Sequence, residues 1–431
     1  MARAYHTFKV ENSDLIKQQM LTWANQFNIC CLLDNHYYKS NYNSFECLLG
    51  AGAASIFQPT GDFLSSLTNY IGNHQDFIFG HFNYEAKNII EGQTFSSSSN
   101  KDGFPDFFLF VPETVLELKE DILTIGVLDQ DANKVFSEIT KLPVNQPKLS
   151  NVVFTPTIEK EEYLNSIEQL QRHIQHGDCY EINFCQEFRA TCHIEPAAVY
   201  AKLSDIAPNP FSAFYRVREN YLLCASPERY LKKTGTKIIS QPIKGTSARN
   251  RFDQKEDELN KTELKDSLKD QTENVIVVDL VRNDLSKICK EGSVVVEELF
   301  GIYSFSHVHQ MISTVSGSVE KDTGLSDILK ATFPMGSMTG APKRKVMELI
   351  KKYEHDKRGI YSGTLGYITP TKDFDFNVVI RSIVYNATTT NISFHTGSAI
   401  TASSEPEKEY EECLLKAGAI LNIFSENKKA E

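Results

Sequence analysis

The sequence predicts an α+β protein built on large antiparallel sheets, and two observations carry that expectation. Stretches rich in β-branched and aromatic residues recur through the second half, in FSAFYRV, YLLCAS, KIISQPI, FNVVIRSIVYN and NISFHTG. Their connections are mostly hairpin-like, as in VVIRSIVYNATTTNISFHTG, and regular strand-helix-strand units are few. A doubly wound parallel sheet needs those units, so an antiparallel arrangement with irregularly interspersed helices is expected instead.

Taken along the chain, the Ser96–Ser99 run reads as a surface loop and no repeat at solenoid periods is present. A break falls between Leu142 and Pro156, where Pro143, Pro147 and Pro156 stand among polar residues. It divides an N-terminal region, 1–150, from a second region, 151–425. A helix is expected from Thr157, with acids at Glu159, Glu161 and Glu162 near its positive end. Tyr163, Ile167, Leu170 and Ile174 form its buried face, and Gly177 stops it. The strand YEINFCQEF follows. Near the C-terminus, Ser404 and Glu407 have the spacing of a capping box, ahead of a helix whose buried stripe is expected at Leu414, Ala417 and Leu421.

Composition excludes several classes. With 431 residues, 41% hydrophobic and 23% charged, the chain can bury a sizeable core. A net charge of −11 opposes sequence-independent nucleic-acid binding, which needs clustered Lys and Arg. No apolar run approaches the roughly 18 residues of a membrane span, and no signal-peptide pattern opens the sequence. Nine cysteines without a C-x-x-C pair point to reduced, buried thiols and a cytoplasmic protein.

Four stretches carry chemistry. In EPEKEYEECLLKA, Glu409 and Glu412 are three residues apart and project from one helix face. In LKDQTENVIVVDL, Asp270 and Glu273 repeat that step as the helix turns apolar, where an acid needs a partner. Two such pairs can supply oxygen ligands to a hard cation such as Mg²⁺, although each alone also reads as a solvated acidic face. In SPERYLKKTGTKIISQPIKGT, Glu228 follows a Ser-Pro turn and Lys244 ends a strand-like segment. Burial there lowers an amine's pKa and makes it a nucleophile, the alternative being a snorkelling surface lysine. In FPMGSMTGAPKRK, a Gly-rich loop opens a helix at Pro342, a place for an anion, with Lys343, Arg344 and Lys345 on a solvated face.

In order, SPER, QPIKGT, ENVIVVDLVRNDL, FPMGSMTGAPK, RGIYSGTLGY and EPEKEYEECLLKA resemble the signature set of the chorismate-utilising enzymes. That family includes anthranilate synthase component I, aminodeoxychorismate synthase component I, isochorismate synthase and salicylate synthase. The likeness is dense from Asp178 to Ala417 and looser before it, through SFECLLGAG and FIFGHFNYEAKN. It implies a large α/β sandwich on two antiparallel sheets. It further implies the aminodeoxychorismate synthase branch, because Lys244 stands in P-I-x-G-T where anthranilate synthases carry alanine. By the same resemblance Lys244 is the nucleophile toward C2 of chorismate and Glu228 the general acid for the departing C4 hydroxyl. Glu273, Glu409 and Glu412, with Asp270 as an outer member, match Mg²⁺-site acids. Gly245, Thr246, Thr339, Tyr361, Arg381, Gly397 and Lys416 match positions that contact chorismate.

Three positions depart from the family pattern. Glu181 stands where amine-transferring members carry Gln and water-adding members a lysine. Gln310 takes the usual histidine position, with His309 beside it, and the late glycine-rich stretch reads GSAIT, keeping only Gly397. The sequence contains no nucleophile-elbow cysteine with a downstream His and Glu. Ammonia is therefore expected from a separate glutamine amidotransferase, with p-aminobenzoate and folate as the pathway outcome. Anthranilate synthase component I and a catalytically silent chorismate-binding subunit are the competing readings.

Overall fold

A computed structural model describes residues 3–39, 42, 45–91, 103–144, 151–305 and 308–424. The Ser96–Ser99 run and Pro147 lie outside the described residues. Among the described residues, two sheets of twelve and ten strands form the frame. In the first, Ile29–Asp34 pairs with Phe211–Val217, which pairs with Asn220–Ser226, then Ser382–Asn386 and Asn391–Ile400, ending near Glu181–Thr191; each of these pairings is antiparallel. In the second, Ile243–Ala248, Val308–Ser318, Lys237–Gln241, Arg229–Thr234, Phe374–Asn377, Thr364–Ile368 and Ile78–Phe82 follow one another, again antiparallel. Both sheets take strands from either side of residue 150.

The central strands are buried on both faces, so they read as apolar runs without alternation. In Ile29–Asp34, Cys30 and Leu32 pack toward the helices. Cys31 and Leu33 turn the other way, where they meet Phe79, Phe110 and Tyr367 of the second sheet. All nine cysteines are free thiols, and most are buried as small apolar side chains.

Several local expectations are corrected. The first helix of the second region is Lys160–Gln175, with Glu159 rather than Thr157 at its cap and no side-chain capping bond. The segment FNVVIRSIVYN is two strands, Phe374–Asn377 in the second sheet and Ser382–Asn386 in the first. KIISQPI likewise breaks at Pro242, whose missing N–H cannot continue a ladder, into Lys237–Gln241 and Ile243–Ala248. The last helix, Pro406–Phe424, buries Cys413, Ala417, Ile420 and Phe424, whereas Leu414 is exposed and Leu421 only partly covered. Ser404 uses its hydroxyl to accept from the Thr401 N–H, and Glu407 pairs with Lys160, so no capping box forms. Lys343 is largely covered, its side chain paired with Asp284, rather than fully solvated.

Two of the chain's crossings between the sheets lie side by side. One is Pro227–Glu228, between Asn220–Ser226 and Arg229–Thr234; the other is 378–381, between the two halves of FNVVIRSIVYN. Hydrogen bonds lock the crossings together: the Val378 N–H donates to the Glu228 carbonyl at 3.0 Å, and the Ser226 hydroxyl to the Val378 carbonyl at 2.6 Å. Glu228 and Arg381 are thereby placed on fixed backbone at the junction of the sheets.

Candidate active site

Lys244 projects from Ile243–Ala248, with its side chain 8% exposed, and its Nζ donates to Glu181 Oε1 at 2.5 Å. Glu181 begins the strand Glu181–Thr191, is itself fully buried, and leaves Oε2 without a partner. The departure from the family pattern is therefore the lysine's counter-ion. The expected lowering of the amine pKa is reversed. Burial pulls it down, but the Glu181 and Glu273 carboxylates overcome burial, and Lys244 rests protonated. Glu181→Gln removes the largest of those opposing charges. The acidic limb of the kcat/KM–pH profile is expected to move to lower pH, and an unmoved limb would show that it belongs to another group.

Glu228 is 4% exposed, and burial pushes its carboxyl up to about 7, tempered by the Ser337 hydroxyl and by Lys244. A carboxyl with that value can both hold and release a proton near neutrality, as a general acid must.

The acids meet at the ends of two helices. Leu268–Ser286, capped by Ser267, carries Asp270 and Glu273; Pro406–Phe424 carries Glu409 and Glu412. Glu409 is 1% exposed, and burial raises Glu273 to about 7. Burial works to raise Glu412 as well, yet Lys416, Lys269 and Lys244 hold it below the ordinary value. Lys416 is 2.6 Å from Glu412 and donates to the Gly397 carbonyl at 2.9 Å. Asp270 lies beside Gly245. That glycine has φ +87°, and an added Cβ would come within 2.9 Å of the Asp270 side chain.

This donor set suits a hard cation: it is all oxygen, and Glu273 Oε1 and Glu409 Oε2 are buried without hydrogen-bond partners. The Lys269 ammonium stands among Glu273, Glu409 and Glu412 as a positive charge of the chain's own. Among the described residues no three such side chains converge closely enough to hold an ion as they stand.

Arg381 and Thr246 line a cavity of 380 Å³ together with Gln310, Phe305 and Ile420. The Arg381 backbone has φ +51°, and burial lowers the pKa of its guanidinium. Gln310 pairs with Thr246 across the strands and leaves Oε1 buried and unpartnered. His309, on the opposite face of the same strand, is engaged by Ser304 and Asp257, so it does not take the place of the missing histidine. Tyr361 is buried against His395, ring centroids 4.9 Å apart. At Gly397 a side chain would strike the Phe184 carbonyl, 2.1 Å from an added Cβ. The Thr339 hydroxyl donates to the Met335 carbonyl, its N–H donates to the Gly336 carbonyl and its own carbonyl accepts from the Asn183 N–H.

Sequence reasoning passed over Lys269 and the Lys244–Glu181 pairing. The signal for the first was present: Lys269 precedes Glu273 by four residues, one helical turn.

The chain is similar to several known proteins. The chain is 32% identical to aminodeoxychorismate synthase component 1 of Escherichia coli (strain K12) over 320 residues, 74% of this chain and 70% of that protein. It is 39% identical to the chloroplastic aminodeoxychorismate synthase of Arabidopsis thaliana over 289 residues, 66% of this chain. It spans 31% of that plant protein's length. An anthranilate synthase component I-like protein of Synechocystis is 32% identical over 368 residues, 83% of this chain and 75% of that one. Among solved structures, anthranilate synthase component I of Streptococcus pneumoniae superposes with a TM-score of 0.75 at 22% identity, covering 89% of this chain and 95% of that one. MenF, the menaquinone-specific isochorismate synthase of Escherichia coli, gives 0.76 at 18%, covering 98% and 95%. These two carry the fold, two antiparallel sheets with helices. With the chorismate binding enzyme model matching residues 39–422, nearly the whole described chain, the protein belongs to the chorismate binding enzyme family.

Proposed function

We propose that the chain is an aminodeoxychorismate synthase component 1, making 4-amino-4-deoxychorismate from chorismate and ammonia. The observation that carries this reading is the buried Lys244 amine, held by Glu181 and facing the field of Glu228. A binding-only protein has no need of a nucleophile and an acid buried together.

In this mechanism Lys244 passes its proton to Glu181, 2.5 Å away, and its nitrogen bonds to C2 of chorismate. Both ring double bonds shift, toward C1–C6 and C4–C5, as the C4–O bond breaks, and the hydroxyl leaves as water with the proton of Glu228. Ammonia then bonds to C4, both double bonds shift back, and the C2–N bond to Lys244 breaks. The C4 ammonium returns a proton to Glu228, and Lys244 recovers its own from Glu181. Arg381, with no acid at ion-pair distance among the described residues, is placed to grip a substrate carboxylate. Glu273, Glu409 and Glu412 would hold Mg²⁺, which when bound neutralises the ring carboxylate. Ammonia is supplied by a separate glutamine amidotransferase, and p-aminobenzoate for folate lies downstream.

The test is turnover of chorismate by the purified chain with products identified by mass. With ammonium and Mg²⁺, 4-amino-4-deoxychorismate is expected; with glutamine as sole nitrogen source, or with EDTA, turnover should cease. Anthranilate as the product would replace this reading with the anthranilate synthase one. Glutamate release would refute the separate glutaminase, and full activity in EDTA the metal.

A further inference from the structure

Lys269 stands outside the proposed mechanism, yet its ammonium lies in the middle of the acids. It is 3.3 Å from Glu409 Oε1, 3.9 Å from Glu273 Oε1 and 3.9 Å from Glu412 Oε2. We propose that Lys269 is a resident counter-ion that occupies the divalent-cation position in the metal-free protein and is expelled when Mg²⁺ enters. The proposal rests on the reading of these acids as the Mg²⁺ set.

Three features separate Lys269 from a structural ion pair. First, its contacts are long. Committed pairs in the same site are short, 2.5 Å for Lys244–Glu181 and 2.6 Å for Lys416–Glu412, whereas Lys269 makes one long hydrogen bond, to Glu409, within the summed field of three carboxylates. Second, the charge is incomplete. Lys416 already pairs with Glu412, and buried oxygens on Glu273 and Glu409 remain without hydrogen bonds despite Lys269, whereas a divalent ion would take them as ligands. Third, the exit is open. The Lys269 side chain is half exposed on a flexible stem and can swing to water by rotamer change, which the buried Lys244 cannot do.

The arrangement has two consequences. Without metal, the ammonium offsets repulsion among carboxylates from two different helices and keeps the site assembled. With metal, its displacement lowers the apparent affinity, because only the fraction of molecules with Lys269 swung out can bind the ion.

The test is calorimetric titration of Mg²⁺ into the full chain without chorismate, comparing wild type with Lys269→Ala, Lys269→Arg and Glu273→Gln. Lys269→Ala should bind Mg²⁺ about tenfold more tightly, the size expected when a partly exposed competing charge is removed. Lys269→Arg, which keeps the competing cation, should not tighten. In thermal melts the metal-free Lys269→Ala protein should melt below wild type and gain more on adding Mg²⁺. Equal or weaker binding by Lys269→Ala overturns the proposal. If Glu273→Gln still weakens binding in that case, the acid set stands and only the counter-ion role falls. If Glu273→Gln binds as wild type does, or no form binds, both fall together, while the product assay with ammonium still decides the reaction.

Discussion

Lys244→Ala is expected to abolish the covalent chorismate adduct and to lower 4-amino-4-deoxychorismate formation on the order of a thousandfold or more, as loss of a nucleophile does. Intact-protein mass spectrometry after incubation with chorismate and Mg²⁺, ammonia withheld, reads the adduct directly. Lys244→Arg should not rescue, because guanidinium stays protonated and cannot attack. The space left by alanine gives ammonia direct access to C2, so a trace of 2-amino product is expected in that variant. The fold responds too. Removing the amine strands the buried Glu181 carboxylate, and breaking such a pair costs about 3–5 kcal/mol. The double variant Lys244→Ala/Glu181→Gln should therefore regain stability without regaining activity, which separates a chemical loss from a folding one. A wild type without adduct, together with a Lys244→Ala variant that keeps rate and product, would reduce Lys244 to a positioning charge.

The antiparallel architecture was legible because strands such as Phe211–Val217 and Asn220–Ser226 are joined by a two-residue turn, which only antiparallel neighbours allow. The crossing inside FNVVIRSIVYN was not. An apolar run buried on both faces has no alternation to lose when the chain leaves one sheet for the other, so periodicity cannot mark the place. Yet that crossing sets the Arg381 guanidinium beside the cavity and bonds to Glu228. The stripe of the last helix failed for a related reason. Leu414 outranks Cys413 in hydrophobicity, but the face that packs on the first sheet runs through Cys413 and Ala417, since Glu409 has to lie on it.

Within the site, residue types and spacing announced the acids, Lys244 and Glu228, but not their electrostatics. A buried lysine read alone has a lowered pKa. The carboxylate that reverses it, Glu181, lies 63 residues away and meets it only through the fold. Lys343 was misread in the same way, since Asp284, the acid that draws it inward, belongs to another helix.

Glu228→Gln should do opposite things to activity and to stability. In the folded protein the carboxyl is raised to about 7 from its ordinary 4.5. The sign follows from linkage: a raised carboxyl favours the fold in its protonated form, so its stabilising share is complete below about pH 4.5 and is lost as pH rises through about 7. Above pH 7 the wild type carries a buried charge that the unfolded chain would solvate, a cost of roughly 3 kcal/mol for an interval of that size. Glutamine keeps the shape and hydrogen bonding without the charge. The variant should melt higher than wild type at pH 8, with the gap closing as pH falls toward 4.5. Its turnover with ammonium should meanwhile fall by about 10²–10⁴, the range general-acid catalysis supplies, because an amide cannot protonate the leaving hydroxyl. Thermal melts across that pH range, paired with kcat at pH 8, measure both. A variant that melts lower at pH 8 would mean that the carboxylate is stabilised by partners Gln cannot replace. One that keeps wild-type kcat would remove Glu228 from the proton transfer and leave the C4 hydroxyl to depart by another route.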